Sequence, residues 1–437
     1  MIGETMAKIR LGKELFSDLH RFLNMEENIL DSKRSRLFPS GNTMDENQTT
    51  SIFLASLQAV KEYREELLIN IGVSKIKNRN IKLHVYTEVY NEAKTERIDG
   101  LIVLTSGKNN PVIEWIAFVE SKVKNNVLEQ EQIERYIKFG REIGVNTIIT
   151  ISNEMTTSPL ESPITTSKAR NFNLFHWSWT YLKVMSTRLL RTNSVEDEDH
   201  IYILGELRRY FDTHKHISNF THMGKVWADS VSRIHETQVG KKIDTNALNE
   251  IINSYKQEEK DVSLQLTDIS PFYVQLLLKK NEEREESISN QLQNDNRTII
   301  STYFIDNDKK RTFTLEVDFL RKTIACRALV VIEKGKAIAQ VSTLLKKLKL
   351  SGVNEDIIIN AVYKRNKHQE CKLSALLDEK NDNKPYSIHN KEYGDTIKFF
   401  DIYIKKEIGR DFQAPQKFIG EVEGISQTFL LQVVSYI

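Results

Sequence analysis

Apolar residues recur at three- and four-residue spacing from Thr50 to about Asn70, at Phe53, Leu54, Leu57, Val60, Leu67 and Leu68. This predicts a long amphipathic helix, with Thr49 to Ser51 as its caps. The period then shortens to alternation. IKLHVYTEVY at 81–90, RIDGLIVLT at 97–105 and EWIAFVESK at 114–122 predict three strands, the last two joined by the turn SGKNNP. Helical period returns over 128–143, and NTIITIS at 146–152 is β-branched and apolar enough for a buried strand. The predicted order is therefore α, β, β, β, α, β.

Further along, NFNLFHWSW at 171–179 predicts another strand with Phe175, Trp177 and Trp179 on one face and His176 on the other. Such an aromatic stripe is more often core than a base-stacking platform, and His176 either touches substrate or hydrogen-bonds within the fold. Helices follow at 201–211 and roughly 224–259, and the charged stretch 281–297 is a solvated helix or a linker. Strands at 298–305, 312–318 and 324–332, a helix at 337–349, strands near 356–363 and 396–404, and a last apolar run, QTFLLQVVSYI, make a second α+β region. Four blocks result: an N-terminal arm or helical cap (1–49), an α/β core (50–200), a helical region with a charged linker (201–297), and a C-terminal α+β domain (298–437).

At 437 residues the chain is too long for one hydrophobic core. Its 62 basic and 60 acidic side chains leave a net charge of +2, which excludes a uniformly basic nucleic-acid coat while allowing a local basic face. Two separated cysteines, Cys326 and Cys371, argue against a disulfide framework or a structural zinc. No signal peptide opens the sequence and no run approaches eighteen uninterrupted apolar residues, so a cytoplasmic protein without a membrane partner is expected. No Walker A pattern is present either.

The tripeptide acid-x-Lys recurs along the chain, at Asp31, Glu92, Glu258 and elsewhere, and by itself carries little. Glu120-Ser121-Lys122 differs by context, because it closes an apolar strand, follows a hairpin partner carrying Asp99, and precedes a helix and a buried strand. Two carboxylates on adjacent strands, with the Ser121 carbonyl between Glu120 and Lys122, form the hard oxygen environment that Mg²⁺ or Mn²⁺ prefers. A lysine on the same face can orient a water and offset charge on a phosphate. Metal, acid pair and lysine together describe phosphodiester hydrolysis. The bland alternative is a buried salt bridge of Lys122 with Asp99 and Glu120.

On these residues the chain resembles the PD-(D/E)XK, or restriction-endonuclease-like, nuclease superfamily. The α-β-β-β-α-β order matches that core, a mixed sheet flanked by helices, with Asp99 as first acid and Glu120-Ser121-Lys122 as the triplet. Ile98 stands where proline is usual. Gln132 to Tyr136 resembles the QxxxY motif of the RecB-like branch, and residues i and i+4 share a helix face. The stretch from RLFPSG (36–41) through FHWSW resembles a group of bacterial predicted nucleases. The resemblance implies a Mg²⁺- or Mn²⁺-dependent nuclease, acting on DNA more readily than RNA, in bacterial defence or repair. Asp99, Glu120 and Lys122 would carry the chemistry, with Gln132 and Tyr136 beside them. A further acid would come from Glu62 or Glu66 on the helix before the meander, or from Glu88, each of which also fits a plain surface role. Lys124, Arg135, Lys138 and Arg141 are candidates to track a phosphate backbone, or form a solvated helix face. A homodimer, and a partner or signal at the C-terminal domain, complete the expectations. The alternative is a silent nucleic-acid-binding or sensor protein on the same core.

Overall fold

The computed structural model describes residues 15–23, 25–35, 45–90, 96–124, 126–217, 220–278, 283–306, 308–348, 356–382 and 384–437. The chain divides into two units, residues 1–219 and 220–437. Most of the N-terminal arm, including the RLFPSG stretch, lies outside the described residues.

In the first unit, short helices α1 (Leu19–Phe22) and α2 (Glu27–Ser32) precede α3 (Glu46–Ala59), α4 (Lys61–Asn70), and three strands, β1 (Ile81–Tyr90), β2 (Arg97–Ser106) and β3 (Val112–Ser121). After them come α5 (Gln130–Ile143), β4 (Thr147–Ser152), β5 (Asn173–Ser178), α6 (Trp179–Arg191) and α7 (Glu198–Thr213). The five strands form one mixed sheet in the order β1-β2-β3-β4-β5. The meander β1-β2-β3 is antiparallel, whereas β3-β4 and β4-β5 are parallel. Residues 98–105 of β2 are buried without a break, as expected of a strand covered on both faces.

The helix expected from Thr50 to Asn70 begins four residues earlier and is two helices, broken at Val60, whose backbone is extended (φ −94°, ψ 109°). Thr49, Thr50 and Ser51 are buried inside α3 rather than capping it. Helix α5 buries Ile133, Tyr136, Ile137 and Gly140 on one face and ends at Gly144, whose φ of 84° is the left-handed cap that favours glycine. A β-carbon at Gly140 would lie 2.5 Å from the Val145 carbonyl oxygen, so glycine alone lets the chain fold back tightly into β4. Trp179 belongs to α6 and not to the strand before it. Its indole and that of Trp177 are fully buried and meet Phe53 edge-on, so they pack the core. Buried His176 hydrogen-bonds the Thr150 hydroxyl (2.8 Å) and the Glu154 carbonyl (2.9 Å).

The second unit opens with helices α8 (Trp227–Glu236) and α9 (Thr245–Ile269), followed by β6 (Val274–Leu276) and α10 (Arg284–Gln293). The meander β7 (Thr298–Ile305), β8 (Asp308–Asp318) and β9 (Thr323–Val330) leads to α11 (Ala337–Leu348), β10 (Ile358–Val362), β11 (His368–Lys372), α12 (Leu373–Asn381), β12 (Phe399–Glu407) and α13 (Pro415–Gln432). Its seven strands form an antiparallel sheet, β11-β10-β12-β9-β8-β7-β6. Of the two alternatives for the charged stretch, helix or linker, the helix is present as α10, seated through Ile288 and Leu292, and QTFLLQ in the last apolar run is the end of α13. The architecture is thus α/β with one mixed and one antiparallel sheet, and among the described residues no helix is long and apolar enough to cross a membrane.

Candidate functional site

Strand β3 is the seam of the first sheet, antiparallel to β2 on one side and parallel to β4 on the other. Its last paired residue against β2 is Val119, opposite Gly100, so one step further the ladder brings Asp99 beside Glu120. Both are buried, with exposures of 4% and 0%. Their carboxyl groups are near enough to act on each other's ionisation, and the Ser121 amide donates to Asp99 Oδ2 at 3.1 Å. Lys122 leaves the strand end anchored by its backbone. Its amide donates to the Ile151 carbonyl (2.8 Å), and its own carbonyl accepts from Trp179 Nε1 (2.9 Å). Its ammonium is hydrogen-bonded to Glu120 Oε1.

Tyr136, on the buried face of α5, points its hydroxyl at the same carboxylate. It donates to Glu120 Oε2 at 2.6 Å and lies 2.8 Å from the Arg97 carbonyl. Each oxygen of Glu120 therefore has a defined partner. Gln132, one turn earlier, is half-buried on the same face and makes no side-chain hydrogen bond to another described residue.

Electrostatics mark the acid pair. Burial and the neighbouring Asp99 push the Glu120 carboxyl up to about 8, against the pull of Lys122 and Tyr136. Burial also raises Asp99. For Lys122 burial pulls the ammonium down, but Glu120, Glu46 and Asp99 outweigh it, and the group stays raised and charged. Burial and Glu120 raise the Tyr136 phenol, keeping it a donor.

A third acid that no sequence pattern announces adjoins Lys122. Glu46 stands in the first turn of α3, its Oε1 3.6 Å from Lys122 Nζ and its Oε2 accepting from the Val123 amide (3.1 Å) and Asn126 Nδ2 (3.3 Å). One turn on, the Thr50 hydroxyl bonds the Glu46 carbonyl (2.7 Å) and the Ser121 hydroxyl, which ties α3 to the triplet. The expected donors Glu62 and Glu66 lie elsewhere, on α4, the first bonded to His200 (2.8 Å) and the second to Arg188 (3.3 Å). Glu88 reaches the rim. It takes a left-handed φ of 51° and drops out of the β1-β2 register, accepting from Asn47 Nδ2 (2.9 Å) and Arg97 (3.5 Å). Arg97 in turn lies 3.9 Å from Asp99.

The four basic candidates are exposed, with different attachments. Arg135 pairs with Glu96 at 3.5 Å, and Arg141 lies over Phe172 and donates to the Lys168 carbonyl. Lys124, with φ 63°, is fixed through its backbone, its amide donating to the His216 carbonyl at 3.2 Å. Lys138 projects from the outer face of α5. The centre is therefore an oxygen-only acid pair, Asp99 and Glu120, with Arg97 beside Asp99 and with Lys122 standing between Glu120 and Glu46. That chemistry fits a hard divalent cation. Comparison with known proteins finds no family model, no curated protein and no solved structure that matches the chain.

Proposed function

We propose that the chain is a metal-dependent nuclease on a PD-(D/E)XK core, hydrolysing phosphodiester bonds of DNA in preference to RNA. The observation that carries this reading is the single bonded group of Asp99, Glu120, Lys122 and Tyr136, two buried acids side by side with a lysine and a phenol on one of them. Two adjacent carboxylates held out of water are costly unless a cation balances them. Asp99 and Glu120, with the Ser121 carbonyl that the resemblance adds, would hold Mg²⁺ or Mn²⁺, whose chemistry is to polarise a phosphoryl oxygen and acidify a bound water, and Glu46 acts on the site through Lys122.

The protein's own residues supply the rest. Lys122, held charged by its three acids, acts as an ammonium that orients a water and offsets charge on the phosphate, not as a base. Tyr136 fixes one oxygen of Glu120 and so aims the other. Arg97 covers the open side of Asp99. Lys124 and Lys138 supply exposed positive charge for a phosphate backbone. Bacterial defence and repair both suit such an activity, and the second unit suits a role in targeting, sensing or assembly. The Lys122–Glu120 contact also supports a second reading, a catalytically silent nucleic-acid-binding protein in which that pair is a structural salt bridge.

Cleavage of circular duplex, linear duplex and single-stranded DNA and of RNA, with Mg²⁺, Mn²⁺ or EDTA, separates the two. Metal-dependent cutting abolished by Glu120→Gln and by Lys122→Met, both folded, is the expected result. Binding of these substrates without cutting under any condition overturns the nuclease reading in favour of the silent one.

A further inference from the structure

In the second unit a cluster of acids lies between α9 and α13. Glu258 and Asp261 on α9 and Glu423 on α13 bring one carboxylate oxygen each within 4.8 Å of one another. The positions follow from helical geometry, since Glu258, Asp261 and Gln265 are spaced i, i+3, i+7 on one face of α9. Gln265 Nε2 donates to Asp261 Oδ2 (2.8 Å) and to Glu423, and its oxygen accepts from Gln427 of α13 (3.4 Å). That amide holds two of the three acids in place. It leaves the third alone.

Glu258 is 0% exposed, and neither of its oxygens has a hydrogen-bond partner among the described residues. The contrast with its neighbour is instructive. Glu259 is equally buried, but Arg284 grips it through Nε (2.9 and 3.1 Å) and Nη2 (2.6 Å), and the Ser301 hydroxyl adds a bond at 2.8 Å. The chain thus provides a cation for the acid facing one way and, among the described residues, none at bonding distance for the acid facing the other. Burial pushes the Glu258 carboxyl well above its usual range, and the charged groups that act on it, Asp261 and Glu423, are both acidic. A buried carboxylate left without a partner is strongly disfavoured. A proton would relieve the charge yet leave the second oxygen bare.

We propose that Glu258, Asp261 and Glu423 form a second cation site, taking a hard divalent ion of the Mg²⁺, Mn²⁺ or Ca²⁺ class. All of its donors are oxygens, without the nitrogen or sulfur that would favour zinc or copper. Half-buried Glu423 gives the ion a way in. Bound there, the ion ties α9 to α13, two helices that pack against each other in the core of the second unit.

The test is Mn²⁺ binding to the full chain, followed by the loss of the free-ion EPR signal. It is made in an Asp99→Asn/Glu120→Gln background, so that the first site contributes nothing and its failure does not count here. The expected result is one Mn²⁺ per chain, displaced by excess Ca²⁺ or Mg²⁺ and lost on adding Glu258→Gln, which keeps the shape and removes the charge. Glu423→Gln, at a half-buried position, gives the same loss if the first variant does not fold. Absence of binding at millimolar Mn²⁺, or a stoichiometry unchanged in folded Glu258→Gln or Glu423→Gln, overturns the proposal and leaves Glu258 a protonated acid.

Discussion

Tyr136→Phe isolates one hydroxyl at the centre of the first site. The ring is 1% exposed and packs edge-on against Phe118 at 6.2 Å, and phenylalanine preserves that packing. What disappears is the donor 2.6 Å from Glu120 Oε2 and 2.8 Å from the Arg97 carbonyl. Removing one partner of a buried hydrogen bond leaves the other unsatisfied and out of water, at a cost of about 1–3 kcal/mol. We expect the first unit to lose about 2 kcal/mol. With a denaturant slope of roughly 2–3 kcal/mol/M in urea, its midpoint falls by about 1 M. Tryptophan fluorescence is a suitable probe, because Trp115, Trp177 and Trp179 lie in this unit and Trp227 in the other, and the two units are fitted as separate transitions. The same variant should cut DNA ~10–100-fold more slowly, the usual cost of losing a group that orients a metal-holding acid. A midpoint within about 0.2 M of the unmodified chain, well below that shift, would refute the bond between Tyr136 and Glu120.

Glu46→Gln should lower cleavage by ~10-fold or more, whereas Glu62→Gln and Glu66→Gln, on α4 and bonded to His200 of α7 and Arg188 of α6, leave it within about twofold; equal losses in all three would place the third acid wrongly. Gly100→Ala sets a methyl 2.8 Å from Leu54 Cδ1 and 3.0 Å from Val119 Cβ, so over-packing of about 1–3 kcal/mol should lower the melting temperature of the first unit by roughly 2–12 °C. An unchanged melt would mean that α3 does not press on β2 as described. Burial pushes the Cys326 thiol up to about 12, so at pH 8, well below that value, almost none of it is thiolate, the form that reacts. A disulfide reagent should therefore label native protein once, at half-buried Cys371, with Cys326 reacting only after denaturation; two fast equivalents would contradict the core of the second unit.

The strand meander, α5 and the acid pair were legible in the sequence because alternation and helical period are set locally and Asp99 and Glu120 interrupt apolar runs. Glu46 was not. Thr49, Thr50 and Ser51 have the chemistry of helix caps, but in α3 the Thr50 hydroxyl bonds back to the Glu46 carbonyl and across to Ser121, a choice made by tertiary contact. A helix starting at Thr50 would leave Glu46 outside it, and Glu62 and Glu66 then stand as the acids of the helix before the meander. The break at Val60 has no proline or glycine to announce it, so α3 and α4 looked continuous. Trp179 fitted a strand stripe with Phe175 and Trp177, yet Ser178 accepts from the Tyr181 amide at 3.0 Å and caps α6 one residue earlier. In the second unit β11 and α12 were lost because HQECK is short and polar and sits at the sheet edge.

The change of strand direction at β3 bears on how the site comes into being during folding. Asp99 and Glu120 sit on neighbouring arms of one hairpin, a contact of short sequence separation that closes on a timescale of roughly 1–10 μs. Glu46 and Tyr136 come from helices on either side of the meander, and the anchor from Ile151 to Lys122 needs the parallel strand that follows the α5 crossover. Such non-local contacts form late, after their loop-closure entropy has been met. The two acids are thus brought together first and their partners last. A nascent chain ending near residue 125 carries both carboxylates but neither the phenol nor the strand that fixes the lysine, and only the completed first unit joins them.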